Sequence, residues 1–117
     1  MKVRIVADNR SWVATLEDSA ASRDFLALLP LDVSLSDYHR TEKIADLPKR
    51  LSTTGAPEGI EPKAGDFAYY APWGNLALFY RDFGYSKGLV RLGRIDGDLS
   101  TLAAQNSATV RIERANR

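Results

Sequence analysis

Eight of the eleven aromatic residues in this chain lie between Phe67 and Tyr85, where they alternate with aliphatic residues around one Pro72-Trp73-Gly74-Asn75 turn. Successive side chains of an extended strand point to opposite faces, so this pattern demands strands and not a helix. The run reads as a hairpin: Phe67, Tyr69 and Ala71 face one way, Ala68 and Tyr70 the other, and the turn leads into Leu76 to Arg81. Aromatic rings bring large buried areas both to a core and to the walls of a pocket. Phe67, Tyr69, Leu76 and Leu78 are assigned to the core. Two neighbouring tyrosines cannot share one interior, and Trp73 sits at a turn. Tyr70, Trp73, Phe79, Tyr80 and Tyr85 are therefore the candidates for an aromatic-lined groove, with Tyr38 and Glu42 as its polar contacts.

The rest of the chain supplies more strands. Val3, Ile5 and Ala7 alternate with Lys2, Arg4 and Val6, and Trp12 to Glu17 alternates again after Asn9-Arg10, giving an opening hairpin. One helix follows, capped by Asp18 or Ser19, with Ala21, Phe25, Leu28 and Leu29 on a shared face and Pro30 as its stop. Leu31, Val33 and Leu35 mark a half-buried strand that runs into the polar segment Asp37 to Lys43. Lys49 to Lys63, with Gly55, Pro57, Gly59 and Pro62, reads as a long loop and is nominated as a flap. Gly93, inside the strand Leu89 to Ile95, predicts a bulge or bend of the kind that lets a sheet turn a corner and close. A short helix over Leu99 to Ala104 and a last strand through Val110 and Ile112 complete the pattern. The expected fold is mainly β, a closed barrel of about eight strands with one or two short helices covering its ends.

Composition narrows the function classes. With 117 residues, 44% hydrophobic and 26% charged, the chain has the profile of one globular domain spanning residues 1–117. Sixteen basic and fifteen acidic residues leave a formal charge of +1, which gives no field to attract nucleic acid or an anionic membrane. No cysteine is present, so disulfides, thiolate nucleophiles and Cys-based zinc sites are excluded. No apolar run is long enough for a signal peptide or a membrane helix, and the cytoplasm is the default location.

Catalytic chemistry finds little to build on. His39, beside Tyr38 and near Glu42, is the only imidazole, and it reads as an ordinary loop histidine before it reads as a general base. A single histidine among scattered carboxylates does not make a metal site, and no cofactor is expected. Gly84-Tyr85-Ser86-Lys87-Gly88 is too short for a phosphate-binding loop and reads as a turn. Arg91, Arg94, Arg111 and Arg114 occupy alternating strand positions that ordinarily face water.

Two segments carry a family likeness. Gly65-Asp66-Phe67-Ala68-Tyr69-Tyr70-Ala71-Pro72-Trp73-Gly74-Asn75 through Tyr80, followed by Gly88 to Ile95, resembles the bacterial and archaeal cyclophilin-like fold proteins. Leu29-Pro30, Asp37-Tyr38 and Thr41-Glu42-Lys43 extend the resemblance over most of the chain. It implies a cyclophilin-type barrel. True cyclophilins are peptidyl-prolyl isomerases, which use an arginine upstream of a Gly-Asp-Phe segment. Here the corresponding place before Gly65-Asp66-Phe67 holds Gly55, with Arg50 further away and Lys63 nearer, so the resemblance brings the fold without a clear catalytic arginine.

Three readings follow. The first is a noncatalytic binding module that takes a peptide segment or small ligand in the aromatic groove. The second is a weak or altered prolyl isomerase using Arg50 or Lys63. The third is a domain that forms homo-oligomers or serves a partner protein. A deep pocket with a basic group at its edge would favour the second, and a flat apolar patch the third.

Overall fold

Side chains that are apolar at every second position need a second layer to bury them, and here the sheet supplies it by closing on itself. The computed structural model describes residues 1–115. In chain order the elements are β1 (Lys2–Val6), β2 (Ser11–Leu16), α1 (Ala20–Ala27), β3 (Leu31–Tyr38), β4 (Glu42–Asp46), β5 (Gly59–Ile60), β6 (Asp66–Tyr70), β7 (Asn75–Phe79), β8 (Ser86–Lys87), β9 (Leu89–Ile95), α2 (Ser100–Ala103) and β10 (Ala108–Arg114). Eight strands form a closed antiparallel barrel in the order β1-β10-β3-β4-β7-β6-β9-β2, while β5 and β8 pair separately. The closed barrel of eight strands with two short helices is the architecture expected from the sequence.

Closure depends on Gly93. The β6–β9 register passes from Phe67 opposite Gly93 to Ala68 opposite Arg91, which leaves Leu92 as the extra residue of a bulge. On its other side Gly93 lies opposite Leu16 of β2. A Cβ there would stand 2.0 Å from the Thr15 carbonyl oxygen and 2.7 Å from the Leu16 Cα, so only glycine allows this approach.

The interior is filled by Val3, Ile5, Leu35, Phe67, Tyr69, Leu76, Leu78, Leu92 and Ile112, all essentially buried. Phe25 of α1 meets Phe67 edge to face at 5.5 Å, and Leu102 of α2 is fully buried in the same core. The Tyr69 hydroxyl accepts from the Leu51 amide at 3.1 Å, so its polar tip is satisfied although the ring is buried.

Two expectations need correction. The buried face of α1 is Ala21, Ser22, Phe25 and Leu26, not the face through Leu28 and Leu29. The helix already ends at Ala27, and Leu28 and Leu29 lie beyond it, only partly buried. Ser22 is accommodated because its hydroxyl donates to the Leu92 carbonyl at 2.9 Å. The segment Lys49 to Lys63 is likewise not wholly irregular: Gly59–Ile60 forms β5, Leu51 is buried, and the Ser52 amide donates to Asp24 at 2.7 Å.

Asp66 of the Gly-Asp-Phe segment is a framework residue. Its carboxylate is fully buried, accepts from Arg94 at 2.7 Å and Arg91 at 3.0 Å, and takes the Lys63 amide at 2.9 Å. The bond that Arg91 donates to Asp66 raises the Arg91 pKa above its usual value. Two of the arginines that the sequence assigns to water-facing strand positions thus secure the start of β6.

Candidate functional site

The parity that sends Phe67, Tyr69, Leu76 and Leu78 inward sends Tyr70, Asn75, Ala77 and Phe79 outward, and the strand register arranges the outward set in rows. Tyr38 lies opposite Glu42, and Glu42 opposite Phe79. The next outward row is Ile44, Ala77 and Ala68, and beyond it Asn75, Tyr70 and Leu89 lie opposite one another. Directly opposed side chains have Cβ atoms about 5 Å apart, so each row is a set of touching groups. In the middle row Ala68 and Ala77 are fully buried in an outer apolar cluster, and the larger groups around them form the walls.

The result is a cleft of about 480 Å³ on the outside of the barrel. That is within the range of about 300 to 1,000 Å³ usual for small-ligand sites. Phe79, buried to 2% exposure, belongs to a second apolar cluster with Ala68, Ala77 and Leu89, separate from the barrel interior. Trp73 rises from the β6–β7 turn, where Gly74 takes φ +71° and Arg50 donates to the Ala71 carbonyl at 2.6 Å. The Trp73 ring is nearly perpendicular to Tyr38 (88°, centroids 5.8 Å) and to Tyr70 (82°, 5.3 Å). Trp73 and Phe83 remain 58% and 51% exposed, so these rings are open to an incoming group.

Of the candidate groove residues, Tyr38, Glu42, Tyr70, Trp73 and Phe79 line this cleft together. Tyr80 and Tyr85 are not in its lining. Tyr80 follows Phe79 and turns the other way, where its hydroxyl donates to Asp37 and its ring lies 5.4 Å from the Lys43 ammonium. Lys43 in turn donates to the Gln105 carbonyl at 2.6 Å and pairs with Asp37 at 3.2 Å. Burial pushes the Tyr80 phenol up to about 12, and its bond to the Asp37 carboxylate adds to the shift. For Asp37 itself burial acts upward, but the bonds from Tyr80, Lys43 and the Arg40 amide outweigh it and leave its pKa lowered. Tyr85 is 61% exposed, and its hydroxyl lies over Gly59, where a Cβ would be only 2.8 Å away.

The lining also contains residues that the sequence reading left out. His39 and Phe83 line it, as do Asn75, Ser86 and Lys87. His39 and Arg40 both have φ near +53° in the three-residue β3–β4 turn, a conformation that usually selects asparagine and glycine. The His39 ring packs edge-on against Tyr38 at 4.1 Å. Neither Arg50 nor Lys63 lines the cleft. Arg50 braces the Trp73 turn, and the Lys63 ammonium lies 3.8 Å from Glu61.

Two polar groups in the cleft are unusual. Burial, reinforced by the Asp37 charge, pushes the Glu42 carboxyl up to about 7, with no hydrogen bond or cation among the described residues holding it down. Asn75 is 2% exposed, and its amide nitrogen donates to the Leu76 carbonyl at 2.9 Å, which fixes the orientation of the amide. Its Oδ1 is buried without a partner, the one such side-chain atom among the described residues. Asn75 and Glu42 stand at opposite ends of the outward rows, about 13 Å apart along the strand direction.

Among the described residues no three His, Asp or Glu side chains come together as a metal site, and no helix is long and apolar enough to cross a membrane. The family is then settled by comparison: the chain belongs to the cyclophilin-like family, whose model matches residues 5–113. The solution structure of a hypothetical protein from Archaeoglobus fulgidus superposes with a TM-score of 0.70 over 98% of this chain and 95% of that one, at 20% identity. At that identity the likeness speaks for the fold. No curated protein matches the sequence.

Proposed function

We propose that this member of the cyclophilin-like family is a noncatalytic binding module, and that the cleft on its outer wall takes a peptide segment or a small ligand. The observation that supports this most is the cleft itself, about 480 Å³ and lined by Tyr38, Tyr70, Trp73 and Phe79, with the Trp73 ring 58% exposed. Concavity distinguishes the site from the flat apolar patch that an oligomeric role would favour. An isomerase reading would require a cation aimed at the bound amide. Lys87 is the only basic side chain in the lining apart from His39, and it lies 3.7 Å from Glu58 on the exposed rim, with 77% of its side chain accessible.

The test is an NMR titration of labelled protein with a panel of Xaa-Pro peptides, recording shift changes and cis/trans exchange together. Shifts at Tyr70, Trp73 and Phe79 without faster exchange are expected. Accelerated exchange would replace the proposal with the isomerase reading, and shifts confined to residues outside the cleft would overturn it.

A further inference from the structure

Resting on that binding reading, we propose that the ligand carries an organic cation, an alkylammonium group seated against Tyr38, Trp73 and Phe79 with Glu42 as its counter-charge. Among the described residues no protein donor meets the Glu42 carboxylate, which lines the cleft, and Asn75 Oδ1 is a further acceptor without a partner. An anion would meet both as repulsive neighbours. A neutral apolar ligand would take water from the carboxylate without pairing it, which costs free energy. A cation pairs the carboxylate's charge, which a neutral hydrogen-bond donor does not.

The rings point the same way. Aromatic faces carry negative potential and attract alkylammonium groups, most strongly at tryptophan. Tyr38 and Tyr70 stand nearly perpendicular to Trp73, so the corner between them offers faces and edges at right angles, as a cage does. Glu42 lies between Tyr38 and Phe79 in the register, which places the charge next to these rings. Lys87 opposes a cation only weakly, because it is mostly exposed and lies near Glu58.

The charged and titratable groups around Glu42 are His39 and Tyr38 from β3 and its turn, Lys87 from β8, and the Asp37–Lys43–Tyr80 cluster on the inward side. Since the Glu42 carboxyl titrates near 7, cation affinity rises as pH increases through that value and levels off above it.

The probe is choline, compared with its uncharged carbon isostere 3,3-dimethylbutan-1-ol, followed by Trp73 indole shifts at pH 8. Choline is expected to bind about tenfold more tightly than the isostere. Glu42→Gln should weaken choline about fivefold without weakening the isostere. A pentapeptide carrying trimethyl-lysine separates the sources of the cation: tighter binding than choline assigns a protein segment, and equal binding a free amine. Equal affinity of choline and isostere, or choline binding unaffected by Glu42→Gln, would overturn the cation while leaving the binding module intact. Silence of the cleft to choline, isostere and every peptide would overturn both.

Discussion

Replacing Glu42 with glutamine should stabilise the protein by an amount that grows from about pH 4.5 to 7 and is full above that. The Glu42 carboxyl titrates at 4.5 in an open environment and at about 7 in the fold. A folded-state value above the unfolded one means that the native state holds the proton more tightly. Stability from this group is therefore complete below pH 4.5 and is lost as pH rises through 7. At about 1.4 kcal/mol per pH unit the full displacement would be worth about 3 kcal/mol. Glu42 is only partly buried, and solvent screening reduces this to about 1–2 kcal/mol. Glutamine mimics the protonated form. Urea titrations at a series of pH values should show the Glu42→Gln variant about 1–2 kcal/mol more stable at pH 8 and equal to the parent at pH 4. A difference that does not change with pH, or a variant less stable at pH 8, would refute the reasoning.

Three further outcomes follow from the packing. Gly93→Ala should cost at least about 2 kcal/mol, read as a lower urea midpoint, because its Cβ has no room against the Thr15 carbonyl. Asp66→Ala should cost about 2–4 kcal/mol in the same assay, since it removes the buried acceptor of Arg91, Arg94 and the Lys63 amide. Trp73→Ala should change stability by less than about 1 kcal/mol, as expected for a residue that is 58% exposed, yet abolish the response of the cleft to ligands.

Much of this fold was legible because its signals are local. Alternation over Phe67 to Phe79 separates the inward Tyr69 from the outward Tyr70, and a glycine in the middle of Leu89 to Ile95 is where the barrel bends. The same parity could have withdrawn Tyr80 from the groove, since a residue directly after the outward Phe79 turns to the other side. It could also have added Asn75, which shares the phase of Phe79 on β7. His39, Phe83 and Lys87 were not accessible in this way. Their place in the cleft depends on how the Asp82 to Gly88 segment folds back over the sheet through the β5–β8 pair, and on a turn with two non-glycine residues at positive φ. Long-range register and unusual turn conformations leave no periodic trace in a sequence. The helix boundary escapes the pattern for a related reason: Leu28 and Leu29 extend the apolar periodicity of α1, but the chain leaves the helix before them.

The most direct test of the account is to locate a bound ligand by intermolecular nuclear Overhauser effects, with choline at saturating concentration. Its N-methyl protons should contact the rings of Tyr38, Trp73 and Phe79, while the buried indole of Trp12, which donates to Thr101 at 2.9 Å on another part of the barrel, stays silent. Contacts to residues outside the cleft, with none to these three rings, would contradict the assignment of the outer wall as the binding site.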